Sequence, residues 1–370
     1  MKRMAIHLIA AARPNFMKVA PLYHALHDVE WCTPVVVHTG QHYDANMSDT
    51  FLEDLGLPGP DIHLGVGAGT HAEQTAGVML GYERLCLERR PGCVIVVGDV
   101  NSTMACALTA KKLCIPVAHL EAGLRSRDHT MPEEINRIVT DAISDLLWTP
   151  SADANENLRR EGIPEERILR VGNIMIDSYE MLKHRIDREA MPQRLGLKNR
   201  RYGAVTLHRP ANVDNEERLS RLVSSLLEIS QALPLVFPVH PRTRARLETF
   251  RLVEKLEMAP SVHVLEPLGY VQFMSLVKEA GVVITDSGGI QEETTYLNIP
   301  CLTMRENTER PITILQGTNR LVTPETLQAA VNRILSGEQR QSKRPELWDG
   351  RTAERVVKSL EVWRGSRSQA

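Results

Sequence analysis

The chain has 370 residues, of which 42% are hydrophobic, 24% charged and 4% aromatic. Its 44 Lys+Arg against 46 Asp+Glu argue against a nucleic-acid binder working through a basic face, and so few aromatic rings argue against a base-stacking platform. No apolar run approaches the ~20 residues that span a bilayer, and the length suggests two domains, each with its own core. Cys32, Cys86, Cys93, Cys106, Cys114 and Cys301 form no C-x-x-C pair. They read as small buried hydrophobes in a reducing compartment, and with no secretory signal at the start the expected setting is cytoplasmic.

The first half predicts strands over Ile6–Ala10, Pro34–His38, Val94–Gly98, Val117–Leu120, Leu146–Thr149 and Ile168–Val171. Helix-length stretches such as Phe16–His27, Ala72–Glu88 and Ser102–Lys112 lie between them. A helix over Asp177–Arg188 leads into a charged window, Asp187–Arg201, which holds Pro192 and Gly196 and no strand-length apolar run. The second half predicts strands over Ala204–Leu207, Leu235–Val239, Val262–Leu265, Val282–Thr285, Cys301–Met304 and Arg320–Val322. Helical patterns there cover Glu216–Ala232, Val271–Lys278 and Ile290–Leu297, and a last amphipathic stretch covers Arg351–Trp363. Strand–helix alternation with unbroken β-branched strands indicates an α/β protein with two doubly wound parallel sheets. The expected division is 1–175, a connecting segment 176–200, and 201–350, with the two domains facing each other across a cleft.

Polar residues capable of chemistry recur just after the strands: Arg13, Asp99 and Glu121 in the first half, and His208-Arg209, His240 and Asp286-Ser287 in the second. Open parallel sheets bind ligands outside the carboxyl ends of their strands, so the series points to an enzyme. Thr285-Asp286-Ser287-Gly288-Gly289-Ile290 ends a strand and starts a helix. Its free N–H groups suit a phosphate, but the same pattern also fits a Ser or Asp helix cap with acids in the first turn. Glu293 lies one turn further on, where a carboxylate can take ribose hydroxyls. Arg13 and Lys18 bracket another helix start, with Pro14 suited to its first position; both suit diphosphate oxygens, although solvated surface charge is the commoner fate of such residues. Neither G-x-G-x-x-G nor a P-loop is present, no metal-ligand spacing is convincing, and no nucleophile elbow occurs. Acid/base work falls to Asp99, Glu121 and the pair Glu133-Glu134 after Pro132, which periodicity does not separate.

These residues resemble the non-hydrolysing UDP-N-acetylglucosamine 2-epimerases along nearly the whole chain. The resemblance is carried by Arg13-Pro14 with Lys18, His38-Thr39-Gly40-Gln41-His42, Gly98–Thr103 and His119-Leu120-Glu121-Ala122-Gly123-Leu124-Arg125. It continues through Pro132–Arg137, Thr206–Arg209, Thr285–Glu293 and Glu309-Arg310-Pro311. It implies two Rossmann-like domains in the GT-B arrangement with the active site in the interdomain cleft, a homodimer, no cofactor and no metal. It also implies a C-terminal helix, about 351–367, packed back on the first domain. Position by position, Asp99, Glu121, Glu133 and His208 match the family's catalytic residues. Arg13, Lys18, Ser287, Gly288, Gly289, Glu293 and Arg310 match its UDP-sugar contacts, and Phe273 would stack on uracil. In many members Gln41, His42 and His240 belong to a second, activating UDP-N-acetylglucosamine site.

The reaction so implied is reversible inversion at carbon 2 by elimination of UDP to a 2-acetamidoglucal and re-addition, supplying UDP-N-acetylmannosamine for cell-surface polysaccharide. Ala11-Ala12, Asn15 and Pro210–Asp214 depart from the commoner family pattern, and they bear on the sugar more than on the reaction. The alternatives are a 2-epimerase of another UDP-2-acetamido sugar, a hydrolysing epimerase releasing free sugar, and a GT-B glycosyltransferase, which would not exchange the carbon 2 proton.

Overall fold

A computed structural model describes residues 3–40, 52–338 and 341–367. It divides into two compact units, Met1–Met181 with Glu346–Ala370, and Leu182–Pro345. The division falls inside helix Ile174–Glu189, ahead of the charged 187–201 window. Among the described residues no helix is long and apolar enough to cross a membrane.

The first unit is built on strands β1 (Met4–Ala10), β2 (Cys32–His38), β3 (Ile62–His63), β4 (Cys93–Val97), β5 (Val117–Leu120), β6 (Leu146–Thr149) and β7 (Ile168–Arg170). They pair in the order β3-β2-β1-β4-β5-β6-β7, all parallel, with Ile6 opposite Cys93 and Val94 opposite Val117. The two-residue β3 has no period for a sequence to display, which is why the sequence does not announce it. Ile9, Val37, Val94, Val96 and Val117 bury against Val78, Tyr82 and Leu85 of helix His71–Glu88 and against helix Asn101–Lys112. The latter presents Ala105, Cys106, Ala107 and Ala110, small side chains that let the helix close on the sheet. Five cysteines are buried as expected, but Cys114 is exposed. It sits at φ 54, in the left-handed turn that ends helix Asn101–Lys112, so its side chain leaves the core.

Helix Thr352–Arg367 belongs to this unit. Asp177 accepts the Ala353 N–H at 2.8 Å, and Trp148 donates its indole N–H to Ser359 at 3.0 Å. Ahead of the helix, the buried Trp348 donates to the Pro150 carbonyl at 2.9 Å.

The second unit contains β8 (Gly203–Thr206), β9 (Leu235–Pro238), β10 (Val262–Leu265), β11 (Val282–Thr285), β12 (Cys301–Thr303) and β13 (Asn319–Leu321). Their order is β10-β9-β8-β11-β12-β13, again all parallel. Val205, Phe237, Ile284 and Leu302 pack against Leu219, Leu222 and Leu226 of helix Glu216–Ser230. Each sheet thus reverses its strand order once, between β1 and β4 and between β8 and β11. Those switch points open crevices at the carboxyl ends of the strands, where doubly wound sheets take ligands.

Candidate active site

At the first switch point, helix Arg13–His27 starts after β1. Its start is fixed by Asn15, whose Oδ1 accepts the Ala12 N–H at 3.1 Å and whose Nδ2 donates to the Val97 carbonyl at 3.2 Å. Lys18, one turn further, forms an ion pair with Glu121, and both side chains are nearly buried. Gly98 closes over this pair: a Cβ there would lie 3.0 Å from Lys18 Nζ and 3.4 Å from Glu121 Oε2, and its φ is +67. Glu121 itself has φ 72, a conformation that costs a non-glycine residue on the order of 1–3 kcal/mol and tends to mark functional sites. In that conformation the N–H groups of Glu121 and Ala122 both reach the Trp148 carbonyl, each at 3.1 Å. Lys18 is therefore placed against a carboxylate rather than left as a solvated charge.

The two neighbouring glutamates after Pro132 part company. Glu134 is buried and accepts from Ser126 N–H at 2.9 Å, Arg127 N–H at 2.8 Å, and Arg137 Nε and Nη2 at 3.0 and 2.8 Å. Burial pushes its carboxyl up, but these donors outweigh it and hold the group below the usual carboxylate range. The same Arg137 guanidinium turns its Nη1 to Asp99, while Asn136 Nδ2 holds the Asp99 carbonyl at 2.9 Å. Glu133 is only half-buried. Asp99 is thus fixed by Arg137, which is fixed by Glu134.

At the second switch point Asp286 is fully buried. Its carboxylate accepts the N–H groups of His208 and Arg209 at 3.0 and 2.9 Å, Asn212 Nδ2 at 3.0 Å, and His208 Nδ1 at 2.9 Å. Burial raises its pKa, but the His208 and Asn212 contacts and the backbone donor prevail, and the net direction is down. Asp286 therefore does not cap the following helix. Helix Gly288–Tyr296 has Ser287 at its N-cap with no side-chain cap hydrogen bond and no acid in its first turn, so the capping alternative is absent. A Cβ on Gly288 would strike Arg310 Nη1 at 2.6 Å and Glu309 Oε1 at 2.8 Å, whereas one on Gly289 would meet nothing within 4 Å. Arg310 is set by Glu292 at 2.9 Å and by Glu309. Burial raises the Glu309 carboxyl, but Arg310 and Arg305 hold it well below its ordinary value.

Glu293 accepts from the Tyr270 hydroxyl at 2.6 Å. Burial, with Glu292 adding to it, pushes its carboxyl up to about 8 against the opposing effect of that hydrogen bond. Phe273 lies half-buried on the same helix as Tyr270, Tyr270–Glu279. His240 stands beside His208 with ring centroids 5.4 Å apart; burial first and His208 second lower its pKa. Gln41 and His42 lie outside the described residues, and Arg13 is the first residue of its helix. Sequence reasoning missed Arg137 and Asn212 as organisers of the site. Their only signal is position: helical spacing from Glu133 for the first, and closeness to His208 for the second.

Residues 24–361 match the family described as UDP-N-acetylglucosamine 2-epimerase. A relative from Methanocaldococcus jannaschii bearing that name is 42% identical over 366 residues, covering 96% of this chain and 99% of the relative. A Pseudomonas aeruginosa protein named UDP-2,3-diacetamido-2,3-dideoxy-D-glucuronate 2-epimerase is 41% identical over 323 residues, 86% of this chain and 88% of its own. The crystal structure of the M. jannaschii UDP-GlcNAc 2-epimerase in complex with UDP-GlcNAc and UDP has a TM-score of 0.89 at 42% identity, covering 97% of this chain and 100% of that one. The chain is a member of the UDP-N-acetylglucosamine 2-epimerase family, and so of an isomerase family.

Proposed function

We propose that the protein interconverts UDP-N-acetylglucosamine and UDP-N-acetylmannosamine by eliminating UDP and adding it back. The carbon 2 proton has no adjacent carbonyl to acidify it, so a carboxylate must lie within hydrogen-bond reach. As the base takes that proton, the C–H electrons form the carbon 1–carbon 2 double bond and UDP leaves with the carbon 1–oxygen electrons. Re-addition of the UDP oxygen at carbon 1 with protonation of carbon 2 on the opposite face completes the inversion. Asp99, Glu121 and Glu133 are the acid/base groups of this reading. Lys18, Arg13, Arg310 and His208 steady the leaving diphosphate. His208 Nδ1 is occupied by Asp286, which leaves Nε2 to address a phosphate oxygen. The helix start at Gly288-Gly289 would take the same diphosphate, Glu293 the ribose, and Phe273 the uracil.

The observation that carries this reading is the pairing of carboxylates with cations at the first switch point, Glu121 with Lys18 and Asp99 with Arg137. Epimerisation needs acid/base groups at carbon 2, whereas glycosyl transfer breaks no bond to the carbon 2 proton. Incubation with UDP-N-acetylglucosamine, followed by chromatography of nucleotide sugars, tests it. An equilibrium mixture of the two UDP-sugars supports the proposal, and stoichiometric release of UDP with free N-acetylmannosamine would establish the hydrolysing reaction instead. The P. aeruginosa relative gives a second reading, a UDP-2,3-diacetamido-uronate as substrate, so the uronate belongs in the same assay.

A homodimer and an activating second UDP-sugar site that includes His240 belong to the same proposal. Light scattering tests the first, and a sigmoidal rate dependence on UDP-N-acetylglucosamine, abolished in His240→Ala, tests the second.

A further inference from the structure

His119 lies on β5, two residues before Glu121, and is fully buried. Its Nδ1 is 2.6 Å from Asp141 Oδ1, and its Nε2 is 2.8 Å from the Gly98 carbonyl. Both partners are acceptors, and a carbonyl oxygen has no proton to give. A neutral imidazole donates from one nitrogen only, so it would leave one of these buried contacts as two facing lone pairs. Asp141 does not supply the missing proton. Its Oδ2 takes the Gly123 N–H at 3.0 Å and Arg125 Nη1 at 2.7 Å. A guanidinium and a backbone N–H on the same carboxylate favour its ionised form. Arg125 is in turn gripped by Glu161 at 2.8 and 2.6 Å. The charged groups facing the ring's network are therefore one carboxylate and one guanidinium, with Glu161 behind them.

The network ties three segments together. Asp141 is on helix Pro132–Ile143, which holds Glu133 in its first turn and carries Arg137. His119 and Gly123 flank Glu121, and Gly98 is the residue before Asp99. We propose that His119 is a positioning residue for the proton chemistry: donating from both ring nitrogens, it holds the Gly98 carbonyl to Asp141 and so fixes the turn that presents Asp99. This rests on the reading of Asp99 as an acid/base group. A misplacement of about 1 Å can cost on the order of 10²-fold in rate, so the contact has leverage without touching substrate.

The test uses the full chain labelled with 15N-histidine, the His119 signals being assigned by their loss in His119→Gln. Long-range proton–nitrogen correlation at neutral pH should place both His119 nitrogens at the shift of protonated ring nitrogens. One nitrogen at the unprotonated shift would overturn the proposal, and this readout needs no variant to be active. In kinetics, His119→Gln and the isosteric Asp141→Asn should lower kcat by about 10²-fold while KM and the affinity for UDP stay near wild type. Equal losses in KM and UDP affinity would mark a general structural role and contradict the proposal. Asp99→Asn separates the two levels of inference. If it is inactive while His119→Gln keeps wild-type kcat, the positioning role fails and the reading of Asp99 stands; if Asp99→Asn keeps wild-type kcat, both fall.

Discussion

The carboxylate of Asp286 holds His208 twice, by the ring Nδ1 at 2.9 Å and by the backbone N–H at 3.0 Å. Side chain and backbone of one residue answering to one buried acid fix the direction of the imidazole as well as its place. Asp286→Asn keeps the shape but not the charge or the four-fold acceptance, and a buried donor left without its acceptor typically costs about 1–3 kcal/mol. The expected result is a lower denaturant midpoint at pH 7 together with a lower kcat. The folded carboxyl titrates below its unfolded value, so its stabilisation is present above the unfolded pKa and is lost as pH falls through the folded one. The gap between wild type and variant should therefore close in acid, below about pH 4, as followed by denaturant midpoints down the acid limb.

Glu133 and Glu134 should separate cleanly on substitution. Glu134→Gln replaces a buried carboxylate that takes five donors by an amide with one acceptor oxygen and loosens Arg137 from Asp99, so melting temperature and activity should fall together. Glu133→Gln, on a half-buried side chain outside that network, should abolish carbon 2 exchange with little change in melting temperature. Calorimetry alongside the exchange assay reads both.

Glu293 makes a pH prediction of opposite sign to Asp286. Its carboxyl is raised to about 8 by burial, so between the ordinary carboxylate range and pH 8 the folded state binds more protons than the unfolded one. Stability must fall as pH rises through that window. Glu293→Gln removes the titration, so its denaturation midpoint should be flatter from pH 5 to pH 9. At pH 9 the variant should be the more stable protein, by at most about 5 kcal/mol.

The two glycines after Ser287 should respond differently to alanine. Gly288→Ala drives a methyl into Arg310 and Glu309 and should destabilise the fold. Gly289→Ala meets open space in a helix, where alanine is favoured over glycine by about 1 kcal/mol, so the unliganded protein should gain stability. If the diphosphate approaches that backbone, the same methyl should weaken UDP binding. Thermal melts with and without UDP distinguish these effects.

Much of the site was legible because parallel strands end abruptly and the residue after the last β-branched position faces the ligand side. Asp99, Glu121, His208 and Asp286 stand out as candidates on that ground. The separation of Glu133 from Glu134 was not, since both follow Pro132 and only the donors of Ser126, Arg127 and Arg137, brought in by the fold, decide which is buried. Hydrophobic periodicity shows the first helix only from Phe16, and its true start at Arg13 is signalled by Pro14 and held by a backward bond from Asn15. Asp141 carries no mark of its role in the sequence: its partners His119 and Arg125 are 22 and 16 positions away and meet it only in the folded unit.

The most direct measurement is proton NMR of UDP-N-acetylglucosamine incubated with the enzyme in deuterated water. The expected result is loss of the carbon 2 proton signal in both UDP-N-acetylglucosamine and UDP-N-acetylmannosamine, with the UDP-sugar bond retained in the products. Active conversion without deuterium at carbon 2, or no exchange with any UDP-2-acetamido sugar, would contradict elimination and re-addition at these carboxylates.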